Sequence, residues 1–270
     1  MQSKITGGAT TVLFKTKVLN KYEITYYKCV ETGFIQTEEP YWLEEAYSSA
    51  ITKLDIGLVY RNEHLRAKVI EILNQYFNVK EKYLDYAGGY GLFTRLMRDQ
   101  GYDFYHTDVY CKNLFAEYFQ LSDLPDHTKF ELVTAFEVFE HLPNPLAEIE
   151  MMTKHSDSIL FSTELVPQTP LNSTEDWWYF IPETGQHVAL YTEKSLTYLA
   201  AKFGFNFYTD GVNTHLFTKK FFPENPFRMQ RDPFLIRKMR KMVKKYDKKQ
   251  NPERETLLQK DWEHIKNKLS

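Results

Sequence analysis

The sequence holds few of the residues that build disulfide-stabilised or membrane-spanning proteins. It contains two cysteines, Cys29 and Cys111, so we expect no disulfide framework, and a reducing cytoplasm is the default compartment. No apolar run approaches the roughly 20 residues of a membrane span, and the first residues, MQSKITGG, lack the basic and then apolar pattern of a signal peptide. We therefore expect a cytoplasmic protein with no membrane span.

Charge is nearly balanced over the whole chain but is unevenly distributed. The net charge is −2, yet the residues from Lys219 to the end carry 16 Lys or Arg against 7 Asp or Glu, a net +9, so the rest of the chain carries −11. Such asymmetry indicates either an anionic partner or a tail that packs on the acidic body. An apolar stripe within the tail at helical spacing fits both alternatives: Leu235, Met239, Met242 and Val243.

Hydrophobic patterning divides the chain into three predicted parts. Residues 10–36 alternate in a strand-like way and predict a small antiparallel β unit within residues 1–40. Strands and helices alternate within residues 41–218, which is typical of an α/β domain with a parallel sheet. Residues 219–270 are predicted to form a basic helical tail.

Residues 83–91, YLDYAGGYG, join a short apolar strand to an amphipathic helix through a glycine-rich turn. Glycine is required where the backbone turns sharply or a ligand comes close. The first N–H groups of the following helix point at that space. In the dinucleotide fingerprint a third glycine would stand at Thr94, and here an acid, Asp85, precedes the glycines instead. The alternative is an ordinary turn with a structural glycine cluster.

The order acid, glycines, helix, strand and acid resembles motif I of class I S-adenosylmethionine (AdoMet) methyltransferases, written D-x-G-x-G-x-G. The match is DYAGGYG, with Ala87 in place of the first glycine. The resemblance covers roughly residues 60–218 and implies a Rossmann-like, seven-stranded, mostly parallel sheet with helices on both faces. By the same resemblance AdoMet is the cofactor, and its binding residues are Asp85, Ala87, Gly88, Gly89, Gly91, Asp108 and Phe136.

A second motif, AFEVFEHLPNP, ends another predicted strand and brings Glu137, Glu140 and His141 to the same edge of the sheet. In some O-methyltransferases that this chain resembles, the E-x-x-E-H residues hold a divalent metal, and a further histidine joins them. His187, in PETGQH, would supply it here. Mg²⁺, Mn²⁺ or Zn²⁺ could then hold a substrate hydroxyl and lower its pKa. Alternatively, Glu140 and His141 cap a helix and pair locally.

His187 has a second predicted role. Sugar C-methyltransferases that the chain also resembles place a histidine in a similar segment, where it can act as a general base. The catalytic candidates are therefore Glu137, Glu140, His141 and His187. The other interpretation is a histidine that binds or orients the substrate without taking a proton.

The N-terminal unit resembles the zinc-knuckle leader of some carbohydrate-modifying methyltransferases. Cys29 stands at the first thiol position, but Thr32 replaces the second, and the other knuckle has no cysteine. One thiolate cannot hold a tetrahedral structural zinc, so we expect the β unit to persist without metal.

These observations together predict an AdoMet-dependent methyltransferase that acts on a hydroxyl of a small molecule or sugar. The chain could also form a homodimer, and nucleic acid is a less favoured partner. The first rival is a metal-dependent RNA 2′-O-methyltransferase. The second is a non-enzymatic scaffold or sensor that binds AdoMet.

Overall fold

The computed structural model describes residues 1–48, 52–227 and 254–269. Within them the strands are β1 (Thr10–Val18), β2 (Tyr22–Cys29), β3 (Ile35–Thr37), β4 (Lys82–Tyr86), β5 (Asp103–Thr107), β6 (Leu132–Phe136), β7 (Ser158–Ser162), β8 (Ala189–Leu190), β9 (Asn206–Thr209) and β10 (Thr214–Thr218). The helices are α1 (Leu43–Ala46), α2 (Leu58–Tyr76), α3 (Leu92–Asp99), α4 (Pro145–Thr153), α5 (Glu193–Lys202) and α6 (Leu258–Leu269).

The central sheet has the strand order β5-β4-β6-β7-β10-β9. Strands β5, β4, β6 and β7 run parallel, and β10 is antiparallel to both of its neighbours. The predicted α/β, Rossmann-like class with a mostly parallel sheet is confirmed, with six strands in the described sheet. At the place of a seventh, Gln120 forms an isolated parallel bridge to His106. A Gln120–Asp123 capping box then turns the chain into a short 3-10 helix, which ends the pairing after one residue.

Helices cover both faces of this sheet because successive strand residues point to opposite sides. Leu84 on β4 belongs to one apolar cluster, and its neighbour Tyr83 belongs to another. Helices α4 and α5 pack on the Leu84 side through residues such as Ile149 and Leu196. Helices α2 and α3 pack on the Tyr83 side, with Leu73 fully buried there.

The N-terminal strands form the predicted antiparallel unit, and a distant segment completes it. β1 pairs with β2 and β2 with β3, while β8 adds to the free edge of β3. The apolar cluster on this sheet also includes Trp177, Tyr179 and Phe180 from the loop that leads to β8. The β unit is therefore packed directly against the segment that carries His187.

The described part of the tail packs on the body. Helix α6 lies against α3 through Asp261, which is buried and forms ion pairs with Arg95 and Arg98. The stripe of Leu235, Met239, Met242 and Val243 lies outside the described residues. Among the described helices, none combines the length and the apolar character that crossing a membrane requires.

Candidate active site

The glycine turn follows β4 and leads into α3. Gly91 is the residue before the helix and has φ +81°, and Gly89 has φ +60°. A Cβ on Gly91 would lie 2.5 Å from Asn113 Oδ1, and one on Gly88 would lie 2.4 Å from Asp85 Oδ2. Ala87 stands where the motif has a glycine and adopts φ +54°, a conformation that glycine accepts more easily. The turn therefore requires glycine for both backbone conformation and space.

Asp85 lies beneath this turn and is almost fully buried. The hydroxyl of Thr134 donates to Oδ1 at 2.9 Å, and that of Thr94 donates to Oδ2 at 3.2 Å. Burial raises the pKa of Asp85 to about 7, although both hydroxyls oppose this shift. Thr94, which replaces the third glycine of the dinucleotide fingerprint, thus supports the acid of the turn. In the sequence, the contact between Thr94 and Asp85 is indicated only by the threonine that stands where the dinucleotide fingerprint has its third glycine.

Asp108 follows β5 and joins that strand to the glycine turn. Its Oδ2 accepts the N–H of Gly89 at 2.9 Å, and its Oδ1 accepts the N–H groups of Tyr110 and Cys111, each at 2.7 Å. The side chain is only partly buried, so its carboxylate keeps lone pairs for a further donor. A cavity of about 530 Å³ lies beside it, lined in part by Thr107 and Leu121.

These features fit AdoMet. The turn leaves backbone rather than side chains at the end of β4, and the partly exposed Asp108 can accept hydrogen bonds from ribose hydroxyls. Phe136, the last residue of β6, is partly buried and packs edge-on against Phe93 of α3, with ring centroids 5.1 Å apart. It therefore lies beside the first turn of α3, which begins at Leu92.

Glu137 occupies the turn after β6 with φ +55°. Its N–H donates to Ser162 Oγ at 2.8 Å, and that hydroxyl donates to Glu137 Oε1 at 2.6 Å. Burial raises the pKa of Glu137, while the Ser162 hydrogen bond and the positive charge of Arg61 oppose the shift. Arg61 itself forms a two-pronged ion pair with Asp55, at 2.8 and 3.0 Å. Glu137 is therefore directed to Ser162 and lies outside the cluster described next.

Glu140, His141 and His187 come together beyond this turn. Each offers one ligand atom, and these atoms lie within 4.8 Å of one another. His141 Nδ1 lies 3.2 Å from the carbonyl of Gln186, and His187 Nδ1 lies 2.6 Å from the carbonyl of Tyr179. Since a carbonyl can only accept, both Nδ1 atoms carry the proton and both Nε2 atoms keep a lone pair.

The carboxylate of Glu140 is fully buried. Its Oε1 accepts the hydroxyl of Tyr179 at 2.6 Å, whereas Oε2 has no hydrogen-bond partner among the described residues. Burial and the nearby charge of Glu137 raise the pKa of Glu140 to about 8. Burial lowers the pKa of His141 to about 4 and that of His187 to about 3. The cluster thus combines two neutral imidazoles with an acid that holds its proton to near neutral pH.

The donor set could hold a divalent ion. Metal-binding histidines commonly donate their second ring N–H to a backbone carbonyl, as both histidines do here, and Glu140 Oε2 has no hydrogen-bond partner among the described residues of the same cluster. Two imidazole nitrogens and one carboxylate also match catalytic zinc sites that keep an open position. Glu137 does not contribute to this three-residue set.

Aromatic residues surround the cluster, and one of them, Tyr47, was not singled out from the sequence. Tyr47 stacks on Tyr110 with centroids 4.9 Å apart and lies 6.3 Å edge-on from His141. In the aromatic loop Trp177 and Phe180 are buried, while Trp178 is 67% exposed. The loop is therefore anchored by its buried aromatic rings. Among its tryptophan, tyrosine and phenylalanine side chains in residues 177–180, only Trp178 is exposed to solvent.

Comparison with known proteins assigns this chain to a family. A family model described as a methyltransferase domain matches residues 60–209. The chain belongs to this family and is a class I, AdoMet-dependent methyltransferase. The predicted family, enzyme class and cofactor are thereby confirmed. No curated protein gives a significant match.

Several solved structures are similar to this chain at low identity. CalO1, a methyltransferase in calicheamicin biosynthesis in its SAH-bound form, is 13% identical over 66% of this chain and 61% of its own, with a TM-score of 0.40. OxaC is 16% identical over 52% of this chain and 42% of its own, with a TM-score of 0.38. The plantazolicin methyltransferase BpumL, in complex with a monoazolic desmethylPZN analogue and SAH, is 12% identical over 66% of this chain and 94% of its own, with a TM-score of 0.44. Likenesses of this size carry no conclusion about the acceptor.

Proposed function

We propose that the protein transfers the methyl group of AdoMet to a hydroxyl of a small-molecule or sugar acceptor. The observation that carries this proposal is the cluster of Glu140, His141 and His187, in which both histidines keep a lone pair at Nε2, at the sheet edge where the glycine turn lies. A hydroxyl is a donor that must lose its proton as it is methylated. A cluster of lone pairs beside the cofactor turn suits such a group.

The donor half of the site is assigned to the residues of the turn and its neighbours. AdoMet, when bound, supplies an electrophilic methyl group on a sulfonium. Asp108 accepts hydrogen bonds from the ribose, and Gly88, Gly89 and Gly91 give the cofactor access to the backbone. Asp85 and Ala87 shape the turn from within. Phe136 packs at its side.

In the acceptor half, His141 receives the hydrogen bond of the acceptor hydroxyl through Nε2. It is the most accessible of the three, with 22% of its side chain exposed, while Glu140 is fully enclosed. Glu140 and His187 are more deeply buried and complete the cluster behind it. Glu137 shapes the turn that presents the cluster, because its side chain is bound by Ser162.

A methyl-transfer screen tests the proposal. Purified protein with labelled AdoMet is offered sugar nucleotides, small phenols and RNA, with and without divalent ions. We expect label in a small-molecule pool and its loss in Glu140→Gln. Glu148→Gln is the matched control, since Glu148 also accepts a tyrosine hydroxyl, Tyr86 at 2.8 Å, but on α4. Label only in RNA, or AdoMet binding with no turnover on any pool, would overturn the proposal.

The second candidate is a metal-assisted form of the same reaction, and the paired Nδ1–carbonyl contacts and the unpartnered Glu140 Oε2 favour it. Glu140, His141 and His187 would hold the ion. Bound, it would lower the pKa of the acceptor hydroxyl. Equilibrium dialysis with Zn²⁺, Mn²⁺ and Mg²⁺ should give about one ion per chain and a loss in His187→Ala. Full transfer in a strong chelator would exclude the metal-assisted form.

A further inference from the structure

Tyr179 contacts two members of the cluster with two different atoms. Its hydroxyl donates to Glu140 Oε1 at 2.6 Å, and its backbone carbonyl accepts from His187 Nδ1, also at 2.6 Å. Its ring packs edge-on against that of His187, with centroids 4.6 Å apart and planes at 66°. The residue is 2% exposed. One side chain and its own carbonyl thus fix the orientation of an acid and an imidazole from different parts of the chain.

The position of Tyr179 is itself fixed by the N-terminal sheet. It lies in the short 3-10 helix Trp178–Phe180, and Phe180 packs edge-on against Phe14 of β1 and Tyr26 of β2, at 5.2 and 5.0 Å. The next residue, Ile181, has φ +38°, a strained conformation for a β-branched side chain. The segment cannot rotate without opening the apolar core of that sheet.

The two contacts decide which atoms remain free. Because Tyr179 occupies Oε1 of Glu140, Oε2 is left as its unpartnered oxygen. Because the carbonyl holds the Nδ1 proton of His187, Nε2 is left as its acceptor. His141 reaches the same arrangement through the carbonyl of Gln186. One polar atom of each side chain is thus engaged, and the ligand atoms that the three residues offer lie within 4.8 Å of one another.

We propose that Tyr179 is a positioning residue of the methyltransferase site, which fixes the orientation of the Glu140 carboxyl group and the His187 imidazole within the cluster by holding Glu140 Oε1 and His187 Nδ1. This inference rests on the proposed function of the cluster. It assigns to the N-terminal β unit a role in catalysis through Phe180 and Tyr179, although none of its own side chains belongs to the three-residue cluster.

Tyr179→Phe removes the hydroxyl and keeps the ring. Glu140 then loses its only described hydrogen bond at Oε1 and can rotate. We expect kcat to fall roughly 10- to 100-fold, the range typical of lost hydrogen bonds to metal-binding side chains, which the contacts of Tyr179 resemble. The acceptor KM and the AdoMet Kd should stay within about twofold. Tyr191→Phe is the matched control, since Tyr191 is also fully buried and donates to a backbone carbonyl, that of Phe139, at 3.0 Å.

A readout independent of turnover separates this inference from the proposed function. In protein with ¹⁵N-labelled histidine, Tyr179→Phe should shift the Nε2 resonances of His141 and His187, and Tyr191→Phe should leave them in place. Equal losses of kcat in both variants, or unchanged resonances in Tyr179→Phe, would overturn the positioning role. If the unmodified protein methylates no acceptor, the proposed function fails, while the resonance shifts still decide the role of Tyr179.

Discussion

Arg98 and Asp261 form a two-pronged ion pair across 163 residues of sequence, with Nε–Oδ2 and Nη2–Oδ1 distances of 2.8 Å. Their side chains are 4% and 3% exposed. Arg98 also donates to Asp103 and to the carbonyl of Phe104, and its guanidinium lies 3.8 Å from the ring centroid of Phe119. This pair ties α6 to the helix that begins at the glycine turn.

Asp261→Ala should destabilise the protein by about 3–5 kcal/mol, because it leaves a buried guanidinium with one carboxylate fewer. The free energy of unfolding in urea measures the effect. Asp157→Ala is the control, since Asp157 pairs with Lys219 at 2.6 Å but the two side chains are 68% and 56% exposed. Exposed pairs contribute at most about 1 kcal/mol. Equal losses in both variants would contradict the structural role of the buried pair.

Ala87→Gly should stabilise the protein by up to about 1 kcal/mol. Ala87 has φ +54°, where a Cβ costs roughly 1–2 kcal/mol, and the greater chain entropy of glycine offsets part of this gain. Ala67→Gly, at an exposed position within α2, should instead cost about 1 kcal/mol. Thermal and urea unfolding measure whether the stability rises in Ala87→Gly and falls in Ala67→Gly. A lower stability of Ala87→Gly would show that the backbone at Ala87 is not strained.

Asp85→Asn should change the dependence of stability on pH. Burial raises the pKa of Asp85 from 3.8 to about 7, so the folded state binds the extra proton between these values. The binding of this proton therefore stabilises the folded state in acid, and the stabilisation is lost as the pH rises towards 7. Asparagine has no such proton. The stability of the variant relative to the unmodified protein should rise from about pH 4 to 7, by at most about 4 kcal/mol.

Urea unfolding at intervals between pH 4 and 8 follows this difference for Asp85→Asn. The difference in stability between the variant and the unmodified protein should level off above pH 7, where the carboxyl group of the unmodified protein is ionised in both the folded and the unfolded state. A difference that stays constant over the whole range would show that Asp85 titrates normally.

The N-terminal sheet should accept a zinc ion after three substitutions. Ser3 and Thr6 repeat the spacing of Cys29 and Thr32. Burial alone would raise the pKa of the Cys29 thiol, but the hydroxyls of Thr32, Ser3 and Thr6 surround it and lower the pKa to about 7. Ser3→Cys/Thr6→Cys/Thr32→Cys should therefore bind one more metal per chain than the unmodified protein, with the visible absorption of tetrahedral thiolate Co²⁺. No more Co²⁺ uptake than in the unmodified chain would contradict this arrangement of the four side chains.

The E-x-x-E-H motif illustrates how far the sequence leads. The sequence predicts Glu137 at the end of the strand and Glu140 and His141 a turn later on a short helix, and in the structure a 3-10 helix spans Phe139–His141. Glu137 remains in a left-handed turn and faces Ser162. Neighbouring residues are enough to bring Glu140 and His141 together, whereas the exclusion of Glu137 depends on a hydroxyl from the next strand of the sheet.

His187 reaches the cluster only through tertiary structure. The N–H of Val188 donates to the carbonyl of Glu140 at 2.9 Å, and β8 pairs with β3 just beyond it. The sequence suggested His187 through a resemblance. His187 lies 46 residues after His141 in the chain, and no local sequence pattern predicts that the centroids of the two rings are only 4.9 Å apart. The contact of the Tyr179 hydroxyl with Glu140 likewise joins residues 39 positions apart, so no local sequence pattern predicts it.

The sequence by itself determined the class of the protein, because the strand, the glycine turn and the helix are local and their order is set by hydrophobic period and glycine spacing. It also supplied the acids and histidines of the candidate site. Only the tertiary structure decided which polar atoms stay free and which groups are charged. The carbonyls that fix the histidine tautomers, the Tyr179 hydroxyl and the burial that shifts the pKa of each group all come from segments distant in the chain.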